Sequence, residues 1–276
     1  MPPKHILTSS CAFAASALLA SSATVGFDIV LNYINAPTPS QQQAFENAEA
    51  TWESLITGYQ DTVLATTLII DVTLAPNDGP GGTLGSAGPS RAKLTPNFVY
   101  ASEGSMNFDT ADIAGLEASG EFDDVIVHEM GHVLGIGTLW SSSAVGLSGR
   151  QELYVSGSGQ YTGANGVAAY NEEFSQAGAF VPVELGGGSG TADGHWNEID
   201  NGAANTGIVS LITGQDLRFE IMTGWLNGPL FISNLTIASI QDLGYDTIPL
   251  TAVVPEPSAI LISCLGLGLS LRRRCQ

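Results

Sequence analysis

The stretch HEMGHVLGIGTLW, residues 128–140, places two histidines four positions apart with a glutamate between them. On a helix, positions i and i+4 share one face, so the rings of His128 and His132 can bind one tetrahedral zinc ion. Glu129 is displaced around the helix from that face. It lies beside the metal rather than on it, where a carboxylate can hold a water without taking up a ligand position. The pentad alone is only moderately specific, because a solvated helix face also carries such charged runs. The remaining histidines sharpen it. The chain has four: His5, His128, His132 and His195. His5 lies in a segment that reads as a cleaved leader, which leaves three. His195 follows flexible glycines in GTADGHWNE, so a loop can return it to the helix. The competing reading is a loop histidine stacked on Trp196.

Periodicity indicates the elements that position these residues. EFDDVIVHEMGHVLG, residues 121–135, reads as the central helix, with Glu121, Asp123 and Asp124 in its first turn and Gly135 as its stop. Residues 27–33, FDIVLNY, alternate as a strand. In residues 41–59, Phe45, Ala48, Trp52, Leu55 and Ile56 recur at helical spacing, with Ser40 expected as the cap and Gly58 as the end. Residues 62–76 are β-branched and read as a buried strand. The glycine-rich run at 79–90 reads as a loop around a short strand. No Lys-Ser/Thr pair follows it, so a phosphate cradle gains little support. Residues 98–113 suggest a strand and turn ending in Asp109 and Asp112, which could bind a structural calcium ion or cap the turn. From 141 to 194 the chain is rich in Gly, Ser and Tyr, with a helical patch at 164–176, and Ser233 can cap a last helix through 237–245.

Of 276 residues, 44% are hydrophobic and 33 are glycine, which reads as globular with many loops. The net charge is −19, and between positions 24 and 254 the basic residues are Arg91, Lys93, Arg150 and Arg218. Such a surface repels phosphate backbones, so nucleic-acid binding is not expected. The three cysteines, Cys11, Cys264 and Cys275, all lie in the terminal segments, so residues 24–252 contain no disulfide. Residues 1–23 have a short positive start, an apolar stretch and the small residues Ser21, Ser22 and Ala23, the pattern of a secretory signal peptide. Residues 253–276 combine a Pro-Glu-Pro triplet, a short apolar stretch and Arg272, Arg273 and Arg274. The tail resembles the PEP-CTERM sorting signal of Gram-negative bacteria. That resemblance implies a transient encounter with inner-membrane sorting machinery and release to the cell surface or outside.

HEMGHVLGIGTLW, GHWNE and EIMTGW, in that order, resemble the leishmanolysin family of metzincin zinc peptidases. In the long form of the helix motif a third histidine falls ten residues after the first, and here that slot is Thr138. The family instead separates the helix glycine from its third histidine by a long insertion, and His195 follows His132 by 63 positions. The resemblance therefore implies one Zn2+ per chain on His128, His132 and His195, with Glu129 as the catalytic base and Met222 in the Met-turn, an apolar floor under the metal. It implies an α+β fold for residues 24–252. A mixed twisted sheet with two helices, the zinc helix among them, would occupy about 24–137, and a less regular lobe ending in a helix about 138–252. Protein or peptide substrates would lie extended between the lobes. The chain departs from the family's protozoan members in having no cysteine within 24–252 to block the metal or form disulfides, and no extra C-terminal domain is expected. A second oxyanion donor is open among Tyr154, Tyr161, Tyr170 and Tyr245. Two other functions compete: a surface- or matrix-associated protein that keeps the fold for binding without turnover, and a zinc hydrolase of non-peptide amides. The intact Glu129 favours the peptidase.

Overall fold

Alternating apolar residues form the first strand, β1 (Asp28–Tyr33), which turns its Ile29 side inward. The helix α1 (Pro39–Leu55) follows and buries Ala44, Phe45, Ala48 and Trp52. These belong to a computed structural model that describes residues 26–64 and 66–252; the expected leader at 1–23 and the tail at 253–276 lie outside the described residues. The N-cap of α1 is Thr38, not Ser40. The Thr38 hydroxyl accepts from the Gln41 backbone N–H at 3.3 Å, and the Gln41 side chain accepts from the Thr38 N–H at 2.9 Å. Pro39 at the first helical position explains the earlier start, since its fixed φ suits a helix and its missing N–H needs no partner there. Ser40 instead donates to Glu117 at 2.8 Å. Nor does Gly58 end the helix. The chain passes from Leu55 directly into β2 (Ile56–Tyr59), because pairing with residues 245–247 takes over its backbone.

The central strand β3 (Thr67–Ala75) turns Leu68, Ile70, Val72 and Leu74 inward and the alternate residues outward. It is therefore buried on one face rather than on both. The glycine-rich run is a loop in its first half, 79–84, and its second half, 85–90, enters β4 (Gly85–Leu94), a ten-residue strand longer than the short one expected, whose register is set by its neighbour β5 (Val99–Asp109). The sheet order is β1-β3-β5-β4, with β1, β3 and β5 parallel and β4 antiparallel at the edge. Pro89 is tolerated because an edge strand has one side that needs no N–H donor.

A helix stands where a turn was expected. α2 (Thr110–Ser119) is capped by Asp109, which accepts from the Ala111 N–H at 2.9 Å. The other Asp109 oxygen accepts from the Asp78 and Gly79 N–H groups at 3.0 and 2.8 Å, and Asp112 accepts from Gly81 at 2.7 Å. These carboxylates clasp the 78–81 turn, so the geometry gives Asp109 the capping role rather than that of a calcium ligand. With α3 (Phe122–Leu134) the described residues up to 137 hold three helices, not two. α3 packs on α1 through a core of Phe45, Phe108 and Phe122, and the Trp52 indole donates to the Val127 carbonyl at 2.9 Å.

The C-terminal part is less regular. Its elements are β6 (Gln160–Tyr161), α4 (Ala164–Glu173), β7 (Val181–Pro182), a 3-10 turn Leu217–Phe219 and α5 (Asn234–Asp242), capped by Ser233 as expected. It does not end in that helix. β8 (Tyr245–Thr247) returns to pair with β2, placing Tyr245 among Tyr59 and Tyr100. Among the described residues no helix is long and apolar enough to cross a membrane. The molecule is thus α+β, with a four-stranded mixed sheet and five helices among the described residues.

The cap assignment is testable by thermal unfolding. Thr38→Ala is expected to destabilise by about 1 kcal/mol, lowering Tm by about 2–4 °C for a chain of this size. Ser40→Ala should leave Tm nearly unchanged, and the reverse order would contradict the assignment.

Candidate metal centre

α3 carries His128 and His132 on one face, and their Nε2 atoms stand 3.0 Å apart. The Nε2 atom of His195 lies 3.1 Å from the first and 3.0 Å from the second. The expected trio therefore converges in a near-equilateral triangle. Each opposite ring nitrogen meets a backbone carbonyl: His128 Nδ1 at 2.6 Å from Ile221, His132 Nδ1 at 2.9 Å from Ile136, and His195 Nδ1 at 2.8 Å from Thr191. A carbonyl can only accept, so each Nδ1 carries the proton and donates it. Each Nε2 then presents a lone pair toward the other two. Burial, and next the neighbouring His132, push His128 down to about 3. Burial lowers His132, and burial with both neighbours holds His195 well below the imidazole range. The set is neutral, and neutral imidazole is the form that binds a metal.

The donor set fits zinc. Nitrogens about 2.0–2.1 Å from one tetrahedral zinc stand about 3.3–3.4 Å apart, and the observed edges fall only slightly short. Carbonyl-anchored Nδ1–H groups are also the outer hydrogen bonds that orient metal-ligating histidines. Among the described residues no other group of three His, Cys, Asp or Glu side chains converges in this way. A groove of about 220 Å3 lined by Asn47, Asp123, Asp124 and Phe231 shares Ile221 with these surroundings but includes none of the three histidines.

Two glycines allow the approach. Gly137, just past the helix, has φ of 73°, and a Cβ there would lie 2.4 Å from the Gly194 carbonyl oxygen. The loop carrying His195 thus rests directly on backbone that no side chain could share. Gly131 lies between the two helix histidines, and a Cβ there would meet the Met222 sulfur at 2.6 Å. Met222 is fully buried against this bare strip of α3. Thr138 occupies the slot of the long-form histidine and instead donates its hydroxyl to the His132 carbonyl at 2.6 Å, capping the helix end. Trp196 does not stack on His195. It stacks on Trp140 with centroids 5.1 Å apart, while the His195 ring lies nearly parallel to that of His128.

Glu129 is buried, and its Oε1 comes within 2.7 Å of where a Cβ of Gly85 would stand, at the start of β4. Burial pushes its carboxyl up to about 8; a nearby dication would draw it back down. Three of the four tyrosines have their hydroxyls engaged. Tyr154 donates to Asp193, Tyr161 to Asp242 at 3.0 Å and Tyr245 to the Leu134 carbonyl at 3.2 Å, while the Tyr170 ring packs on Phe174. The residue that periodicity and motif did not single out is Glu220, fully buried two positions before Met222. Only its acidic type in an apolar run, FEIM, hinted at a partnered buried charge.

No known protein family's sequence profile matches the chain, and no curated protein does.

Gly137→Ala is expected to weaken zinc binding by about 10-fold or more, the scale of lost outer-shell support, with far-UV circular dichroism unchanged. Competition with a chromophoric chelator measures it. Affinity equal to the parent would show that the close approach to Gly194 does not place His195.

Proposed function

We propose that this chain is an exported zinc-dependent endopeptidase. The observation that carries the reading is the convergence of three imidazole nitrogens, two of them from the helix that also carries the buried carboxylate of Glu129. His128, His132 and His195 would hold one zinc ion. Zinc bound there supplies a Lewis acid, lowering the pKa of water to about 7 and polarising a carbonyl. Glu129 accepts the proton of the attacking water and passes it to the leaving amine nitrogen. No serine or cysteine nucleophile is required, and residues 24–252 hold no cysteine.

The position of β4 supports a peptide as substrate. It is the edge of the sheet, and its first residue lies against Glu129. An edge strand offers free N–H and C=O groups, the usual means of aligning an extended peptide. Met222, packed on Gly131, supplies an apolar floor that keeps α3 and the segment after His195 in register. Export and sorting rest on residues 1–23 and 253–276 and on their resemblance to a leader and a PEP-CTERM tail.

Casein digestion by the zinc-loaded protein, stopped by a chelator, is the expected outcome. Glu129→Ala should retain stoichiometric zinc while kcat/KM falls by about 100-fold or more. A zinc-loaded parent protein that cuts neither casein nor any member of a peptide library would contradict the peptidase and favour a non-catalytic binding protein.

A further inference from the structure

The three histidines differ in how their outer hydrogen bonds are supplied. His132 and His195 each donate to a carbonyl four residues away in their own segments, Ile136 and Thr191. His128 donates to Ile221, 93 residues away. Its orientation therefore depends on whatever anchors residues 220–222.

That anchor is a fully buried carboxylate. Glu220 Oε1 accepts from the Ser233 N–H at 3.2 Å, the Ser233 hydroxyl at 2.7 Å and the Thr236 hydroxyl at 2.5 Å. Its Oε2 accepts from the Met222 N–H at 2.7 Å. Four donors, none of them cationic, converge on one side chain. Three come from the N-terminal turn of α5 and its cap, and the fourth is the Met222 N–H. Ile221 is the residue spanned between the Glu220 side chain and Met222. The same segment reaches the third histidine, because the Met222 carbonyl accepts from the Trp196 N–H, adjacent to His195, at 3.0 Å.

We propose that Glu220 is a positioning residue for the metal centre: it clamps the 220–222 segment to the N-terminus of α5 and so aims the Ile221 carbonyl at His128. The inference rests on the triad binding a metal and does not need proteolysis. Glu173 provides a contrast. It too is buried and holds the start of α5, accepting from the Asn234 N–H at 2.7 Å and the Ser210 hydroxyl at 2.6 Å, but it bonds to nothing in 220–222. A residue that only stabilises α5 should behave as Glu173 does.

The test compares the full chain with its Glu220→Gln and Glu173→Gln variants, by zinc affinity in chelator competition and by the visible absorption of the cobalt(II)-substituted protein. Glu220→Gln is expected to weaken zinc about 10- to 100-fold and to alter the position or intensity of the cobalt bands. Glu173→Gln should lower Tm and leave affinity and bands as in the parent. Ser233→Ala, which removes one donor and keeps the carboxylate, moves affinity and bands in the same direction as Glu220→Gln but less, and decides the matter if Glu220→Gln does not fold. Parental affinity and spectrum in Glu220→Gln, or in Ser233→Ala in its place, overturn the proposal, as does an equal loss in Glu173→Gln. A parent protein that takes up no stoichiometric cobalt overturns the metal centre itself, and the proposal with it.

Discussion

Three imidazole nitrogens with their lone pairs turned toward one another, 3.0–3.1 Å apart and largely buried, are the constraint on which this structure depends. Such a cluster is repulsive in itself. The Nδ1 protons are committed to carbonyls, so no ring can turn its N–H inward without losing that bond, and burial opposes a second proton on any ring. A shared cation would reconcile these conditions. The outer hydrogen bonds select the tautomer, the tautomer directs the lone pairs, and the lone pairs define a metal site.

Much of the surrounding fold can be understood as the means of holding that triangle. α3 supplies two of the rings at a spacing that any helix provides. The third needs a return of 63 residues, and three features make it exact enough: bare backbone at Gly137 for the loop to rest on, the Met222 sulfur seated against Gly131, and pairing of Trp196 with Met222. Behind these, Glu220 joins the Met222 segment to α5, and β8 carries the chain back to β2. The two halves of the sequence are therefore laced together at the metal centre and again at the Tyr59, Tyr100 and Tyr245 cluster. On the acidic surface the exposed Arg91–Glu103 ion pair contributes little, about 0–1 kcal/mol in such settings.

Local signals were legible in the sequence and long-range ones were not. The zinc-type helix, its Gly135 stop, the first strand and the Ser233 cap follow from periodicity and from capping chemistry contained within a few residues. The pairing of His195 with the helix came from counting histidines, not from periodicity. α2 was hidden because its apolar residues are few and scattered among Ala, Gly and Thr. The full length of β4 was hidden because a glycine-rich run has almost no intrinsic strand preference, and its extent comes from pairing with β5. The cap at Thr38 was displaced from Ser40 by Pro39. The carbonyls that orient the histidines, and the buried clamp at Glu220, have no sequence signature because backbone groups are the same at every residue and their placement is purely tertiary.

X-ray absorption at the zinc edge of the purified, metal-loaded protein tests the central claim most directly. The proposed function predicts one zinc per chain with three imidazole nitrogens at about 2.0–2.1 Å, falling to two when His195 is replaced by alanine. A parent spectrum with two imidazoles or fewer, or one that His195→Ala leaves unchanged, would contradict it.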